Sequence, residues 1–283
     1  MKWYKIFFKQ NQPIHIGTVE WGVINETEIF IPGWTMWGAL TNQFLKTNGF
    51  NKIDESKKIF EKITNFYPAI GQVEKDSPEP RPLFPQYKGG VLSLGDYSEE
   101  KFKFEFVDTI VSTAIEHVLR SAKDESLHEF EYILPKSKMD LDNKTKQLYW
   151  VGLIGFEDYN NFLKDSPKIY IGGDIKYGFG ELELFNSISI NEVTKEELNQ
   201  WNITENGCLF FDDKTNINQF LKFSPNIKFE GELKLLAEFE FTQNIPRIKD
   251  AAYFINVGSK ILNFNEIDLS KYHLIKGKFI KID

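Results

Sequence analysis

The stretch IGGDIKYGFGELEL concentrates four glycines, two aromatic rings and one lysine in a few residues: Gly172, Gly173, Lys176, Tyr177, Gly178, Phe179 and Gly180. Glycine permits positive φ and leaves no Cβ to obstruct a backbone approaching from outside. In such a loop Lys176 can meet a phosphate while Tyr177 or Phe179 stacks on a base. A plainer reading, a long hairpin turn whose glycines only solve a bend, is favoured on spacing alone. A dinucleotide-binding or P-loop reading fails, because the stretch runs into the strand-like ELELF and has no helix N-terminus to hold a phosphate.

The four histidines, His15, His117, His128 and His273, form no HxxxH or HExxH pattern, so no metal site is expected. His15 lies between Ile14 and Ile16 near the end of the first strand and suits a structural hydrogen bond or an acid-base role equally. His117 sits near Arg120 and Lys123 in STAIEHVLRSAKDESLHEFEYI, a local cationic patch that reads equally well as a solvated loop. No Gly-x-Ser-x-Gly elbow occurs, and Asp212 and Asp213 look like loop residues, so spacing alone names no enzyme class.

The elements that must position these residues are mixed. WYKIFF, LHEFEYIL, KQLYWVGLIGF, KIYI and ELELF read as strands, and KFKFEFVDTIV alternates strictly enough to predict one more. IFIPGWTMWGALTNQFLK predicts a helix entered through Pro32 and Gly33, capped by Thr35, with Trp37, Leu40 and Phe44 at helical spacing. A second helix is expected from Ser56, with Ile59, Ile63 and Phe66 on one stripe. The proline-rich run from Tyr67 to Gly95 reads as an irregular excursion, and a short helix is expected over Tyr159 to Leu163. VTKEELNQW predicts a helix start, with Thr194 as N-cap, Glu197 as its capping-box partner and Val193 against Leu198 as a staple. Beyond it come CLFF, a helix near Ile217 to Leu221, the strand ELKLLAEFEF, the pair in AAYFINVGSKILNF and the final GKFIKID. Strands and helices without strict alternation predict an α+β fold with antiparallel sheets.

A chain of 283 residues is long enough for two domains, and the boundary is placed between residues 188 and 189. A net charge of −7 argues against a general nucleic-acid binder but leaves room for a local basic groove. No window is apolar enough for a membrane helix, and MKWYKIFFKQ reads as a strand and not as a signal peptide. The single cysteine, Cys208, reads as a small buried residue, excludes an internal disulfide and fits a reducing cytoplasm.

Taken in order, IHIG, IFIPGWTMWGAL, STAIEHVLRSAKDESLHEFEYI and GGDIKYGFGELEL resemble the RAMP superfamily of CRISPR-associated proteins over residues 1 to about 185. The segment IPRIKDAAYFINVGSKILNF resembles the end of the two-domain cap subunits of type III effector complexes. The resemblance implies tandem ferredoxin-like (RRM-like) domains, a non-catalytic role in holding the five-prime handle of a CRISPR RNA, and contacts with neighbouring subunits. It implies no cofactor. By motif, Gly33, Trp34 and Thr35 at the helix entry, and Arg120 and Lys123, would face RNA together with the glycine loop. The chain departs from the family pattern in three places: Trp34 and Trp37 replace a small and a basic residue, the glycine loop has Lys176 as its lone cation, and TVEWGVINETE offers Glu20, Asn25, Glu26 and Glu28 but no aspartate for target cleavage. Two alternatives stay open. One is a metal-independent endoribonuclease that uses His15 or His117, with Tyr177 or Lys176 stabilising charge. The other is a protein-only scaffold whose tryptophans and phenylalanines serve cores and interfaces.

Overall fold

Alternation of lysine with bulky apolar residues at the start of the chain produces β1 (Lys2–Gln10), with Ile6 and Phe8 fully buried. The structure, a computed structural model, describes residues 1–71, 81–138, 145–157, 167–185, 192–212, 215–240 and 245–282. Strands are numbered along the chain. β1 lies inside a five-stranded antiparallel sheet of order β13-β14-β1-β12-β4, built with β4 (Tyr67–Gly71), β12 (Gln147–Phe156), β13 (Lys168–Tyr170) and β14 (Glu181–Leu184). β12 is an almost unbroken apolar run because both its faces are covered, and Gly152 leaves the space that the Phe66 ring fills. α1 (Gly33–Asn48) buries Met36, Leu40 and Phe44, and α2 (Ile53–Ile59) packs beside it.

A second sheet, of order β2-β3-β11-β8, comprises β2 (Gly17–Trp21), β3 (Ile24–Thr27), β8 (Val107–Ser112) and β11 (His128–Ile133). Its β8–β11 pair extends into a small ribbon of β9 (Ile115–Glu116) and β10 (Ser121–Ala122). A meander of β5 (Pro85–Lys88), β6 (Val91–Leu94) and β7 (Tyr97–Ser98) leads into α3 (Glu99–Phe106). In the C-terminal part, α4 (Lys195–Gln200) precedes a sheet of order β17-β18-β15-β21-β20. That sheet contains β15 (Phe220–Lys222), β17 (Leu233–Glu240), β18 (Arg247–Ile255), β20 (Tyr272–Ile275) and β21 (Lys278–Lys281). β16 (Phe229–Glu230) and β19 (Lys260–Ile261) pair separately. The fold is α+β, with mostly antiparallel sheets and few helices.

Buried apolar residues of the first and last sheets form one continuous core, joined by the Tyr67, Phe84, Trp201 and Phe220 rings. A polar seam runs beside the rings. The Asn65 amide N–H donates to Gln219 Oε1 at 2.7 Å, its side chain donates to the Asn218 carbonyl at 3.3 Å, and the Tyr67 hydroxyl donates to that same carbonyl. Burying these donors and acceptors is tolerable because each is paired, whereas Gln219 Nε2 beside them has no hydrogen-bond partner among the described residues. Among the described residues, no helix is long and apolar enough to cross a membrane.

Several sequence expectations are corrected. KFKFEF is the helix α3, because Ser98 Oγ accepts from the Lys101 amide and Glu99 and Glu100 occupy the first turn. Phe102 and Phe106, four residues apart, are buried, whereas Phe104 between them is 79% exposed. The strand begins only at Val107. α1 starts two residues before Thr35, with Pro32 as its N-cap, so Thr35 lies in the first turn. α2 ends at Ile59, and Ile63 and Phe66 lie beyond it in extended chain bridged to Ile154 and Ile31. The Tyr67 to Gly95 run carries an edge strand and a hairpin, and Pro68 is accommodated because β4 is the edge strand of its sheet among the described residues. Ile217 to Leu221 leads into strand β15, not a helix, since Phe220 and Leu221 pair in parallel with β21. The helix expected over Tyr159 to Leu163 lies outside the described residues. Cys208 is half-buried, its sulfur 3.7 Å from His273 Nδ1.

Candidate nucleic-acid interface

The glycine loop connects β13 to β14 and is docked on the end of the first strand. The Gly173 amide donates to the His15 carbonyl at 2.9 Å, and the Gly180 amide donates to the Pro13 carbonyl at 2.7 Å. Gly172 has φ +76°, and a Cβ there would stand 2.1 Å from the His15 carbonyl oxygen. Gly180 has φ +94°, and a Cβ there would stand 2.4 Å from the Ile171 carbonyl oxygen. These two glycines therefore serve a left-handed backbone and close contact within the chain. Gly178, at φ +88°, has open space around its missing side chain.

Between these anchors a single turn of 3₁₀ helix, Ile175–Tyr177, carries Lys176 and Tyr177 into solvent, with Tyr177 82% exposed. Phe179 turns the other way and meets Tyr132 and Phe130 edge-on, at centroid distances of 5.5 and 5.7 Å. Glu181 clasps the base of the loop. Its carboxylate accepts from Asn11 Nδ2 at 3.1 Å, Tyr170 Oη at 3.0 Å and Lys168 Nζ at 3.1 Å. The Asn11 bond, against the opposing effect of burial and with help from Lys168 and Tyr170, holds its carboxyl below the usual glutamate range.

His15 joins the loop to β11. Its Nδ1 lies 2.7 Å from the Glu131 carbonyl, which can only accept, so Nδ1 carries a proton. Its ring meets Phe130 edge-on at 5.4 Å. His15, Phe130, Tyr132 and Phe179 thus line one aromatic strip, of which His15 and Phe179 stand out in the sequence. The alternation in HEFEYI was the available signal for Phe130 and Tyr132, both on β11.

Arg120 and Lys123 stand on the exposed ribbon beyond β8 and β11, with the Arg120 backbone at φ +51° and its amide donating to the Glu116 carbonyl at 2.9 Å. His117 is exposed there as well, beside Val118 at 87% exposure. Neither His15 nor His117 is bonded to a second titratable side chain among the described residues. Gly33, Trp34 and Thr35 belong to a different place, the first turn of α1 against the C-terminal sheet. Gly33 is buried, its amide donates to Asn65 Oδ1 at 2.8 Å, and a Cβ on it would lie 2.5 Å from the Gly277 nitrogen. Trp34 packs on Phe220 with ring centroids 5.2 Å apart.

Two of the acidic residues after the first strand, Glu26 and Glu28, are engaged internally. Glu26 lies 3.7 Å from Lys103, Glu28 lies 2.5 Å from Lys234, and Asn25 donates to the Glu129 carbonyl at 3.4 Å. Glu20 is exposed. No group of three or more His, Cys, Asp or Glu residues converges for a metal ion among the described residues.

The sequence matches no protein-family model and no curated protein. Solved structures do match. A chain in "Cryo-EM structure of the Type III-B Cmr-beta bound to cognate target RNA and AMPPnP, state 1" is 12% identical, with 91% of this chain aligned to 85% of that one at a TM-score of 0.55. A chain in "Crystal structure of Csm3-Csm4 subcomplex in the type III-A CRISPR-Cas interference complex" aligns over 100% of both chains at 10% identity, with a TM-score of 0.45. At 12% identity the first likeness establishes a shared fold.

Proposed function

We propose that this chain, which shares its fold with a chain of the RNA-bound type III-B Cmr-beta structure, is a RAMP-superfamily subunit of a type III CRISPR effector complex that holds CRISPR RNA without cutting it. The observation that carries the reading is that likeness over 91% of the chain, from the same residues whose ordered motifs resemble the superfamily. The strand order β14-β1-β12-β4, antiparallel throughout, supports a ferredoxin-like unit over residues 1–188. Residues 189–283 are read as a divergent second unit, built from the β17–β18 and β20–β21 hairpins around the short β15.

In this reading the RNA is the five-prime handle, and the complex works in the cytoplasm. Lys176 and Tyr177 are presented outward by a loop whose Gly173 and Gly180 amides are fixed to His15 and Pro13, so a phosphate contact and a stacked base need little further ordering. Arg120 and Lys123 supply cations on the projecting ribbon. The chain's net negative charge suits faces that meet basic neighbouring subunits.

The test is RNA binding at two salt concentrations, comparing handle-bearing with scrambled RNA, for the wild type and a Lys176→Ala, Tyr177→Ala pair. Handle-selective binding that the pair weakens is expected, with the salt slope falling by roughly 0.7 for the lost lysine contact to a single strand. Equal binding of both RNAs, alone and in the assembled complex, refutes the handle assignment.

A further inference from the structure

Away from the glycine loop, a second aromatic surface with two lysines lies between α1 and the C-terminal sheet. Trp34 and Trp37 are three residues apart and share a face of α1. The turn before β21 is pinned beneath them, with the Lys276 amide donating to the Glu61 carbonyl at 2.9 Å and the Gly277 amide donating to the Ile63 carbonyl at 2.7 Å. That turn lays Lys276 Nζ over the Trp37 ring, 3.6 Å from its centroid, and Lys278 Nζ 5.7 Å from the Trp34 centroid. Across from them Leu236, Glu238 and Phe239 of β17 close a cavity of about 510 Å³.

Charge in this cavity is unbalanced. Neither Lys276 nor Lys278 has a carboxylate within ion-pair distance among the described residues, and Glu238 is engaged by Lys249 at 3.5 Å. Burial, the largest influence on both lysines, lowers their pKa values against the opposing pull of Glu238 on both, of Glu61 on Lys276 and of Asp250 on Lys278; for Lys276 the neighbouring Lys278 adds to the lowering. Two half-buried ammonium groups side by side suit an anion, and a phosphate set between them would favour their charged forms. Apart from the Glu238 carboxylate, the rest of the lining is indole, phenyl and aliphatic surface, more than a carboxylate side chain would cover, and the volume falls within the range of small-molecule sites.

We propose that this groove binds a phosphorylated nucleoside, as one nucleotide of a single RNA strand, with the phosphate between Lys276 and Lys278 and the base against the indole and β17 walls. The proposal rests on reading the chain as an RNA binder but assigns a site separate from the glycine loop. Glu238 offers an acceptor to a base amino group.

The test is calorimetric titration of the full chain with a five-prime-phosphorylated dinucleotide and its unphosphorylated form. The proteins are the wild type, a Lys276→Gln, Lys278→Gln variant, Lys278→Gln alone, and the Lys176→Ala, Tyr177→Ala pair. The wild type is expected to favour the phosphorylated form about tenfold, the double lysine variant to lose that preference, and the glycine-loop pair to keep it. A urea midpoint unchanged in Lys278→Gln separates lost binding from lost folding. Photo-crosslinking of a 4-thiouridine dinucleotide to the peptide holding Trp34 and Trp37 supports the placement. No binding by the wild type, equal affinity in all variants, or displacement by a glutamate-rich peptide with no phosphate preference overturns it. If the phosphate preference survives while handle selectivity in the longer RNA fails, the handle assignment falls and the groove stands.

Discussion

Gly172→Ala separates a glycine that the chain needs from one that a ligand would need. At φ +76° the new side chain enters the left-handed region, which costs about 1 kcal/mol for an L-residue. Its Cβ would also sit 2.1 Å from the His15 carbonyl oxygen, so the loop or the strand end must move. That movement forfeits the Gly173-to-His15 hydrogen bond, worth about 1 kcal/mol net, and adds packing strain of about 1 kcal/mol or more. A total near 3 kcal/mol is expected. Gly178→Ala is the control. Its φ of +88° carries the same backbone penalty of about 1 kcal/mol, but its side chain meets open space. Urea unfolding followed by tryptophan fluorescence gives both values, and hydrogen exchange at the Gly173 and Gly180 amides reports whether the docking itself has loosened. Stability losses within about 0.5 kcal/mol of each other, with exchange at Gly173 unchanged, would refute the argument that the loop glycine serves intramolecular docking.

Other outcomes follow from the same geometry. Tyr67→Phe removes the buried hydroxyl that donates to the Asn218 carbonyl and should cost about 1–2 kcal/mol in urea unfolding. Thr194→Ala removes a capping box in which Thr194 Oγ1 accepts from the Glu197 amide at 3.3 Å, for a loss of about 1 kcal/mol read in the same assay. Glu181, with a carboxyl pKa depressed chiefly by Asn11, contributes stability that is complete above the unfolded value of about 4.3 and is lost as pH falls through its lower folded value. Asn11→Ala should therefore flatten the acid side of a midpoint-against-pH curve, and an unchanged curve would remove Asn11 from that role.

Some of this protein was legible in its residues. β1, β11, β12, β13 and β14 follow from alternation or continuous apolar runs, and the Thr194–Glu197 box follows from residue types whose partners lie within one helical turn. KFKFEF misleads because apolar residues at every second position also include a pair four apart, so one pattern satisfies a strand and a helix. The Ser98 cap and the burial of Phe102 and Phe106 decide for the helix, and both lie outside the period itself.

At the candidate site, local chemistry sufficed to mark the glycine stretch, its two rings and Lys176, and to prefer a turn there. What Gly172 is for depends on a partner more than 150 residues earlier, the His15 carbonyl, which no window around Gly172 contains. The same holds for Gly33, whose missing side chain makes room for Gly277 near the far end of the chain. Lys276 and Lys278 in sequence are two ordinary lysines of a hairpin. Only the packing of that hairpin on α1 brings them over Trp37 and Trp34, because burial and charge pairing depend on distance in space, whereas caps, turns and periodicity depend on distance along the chain.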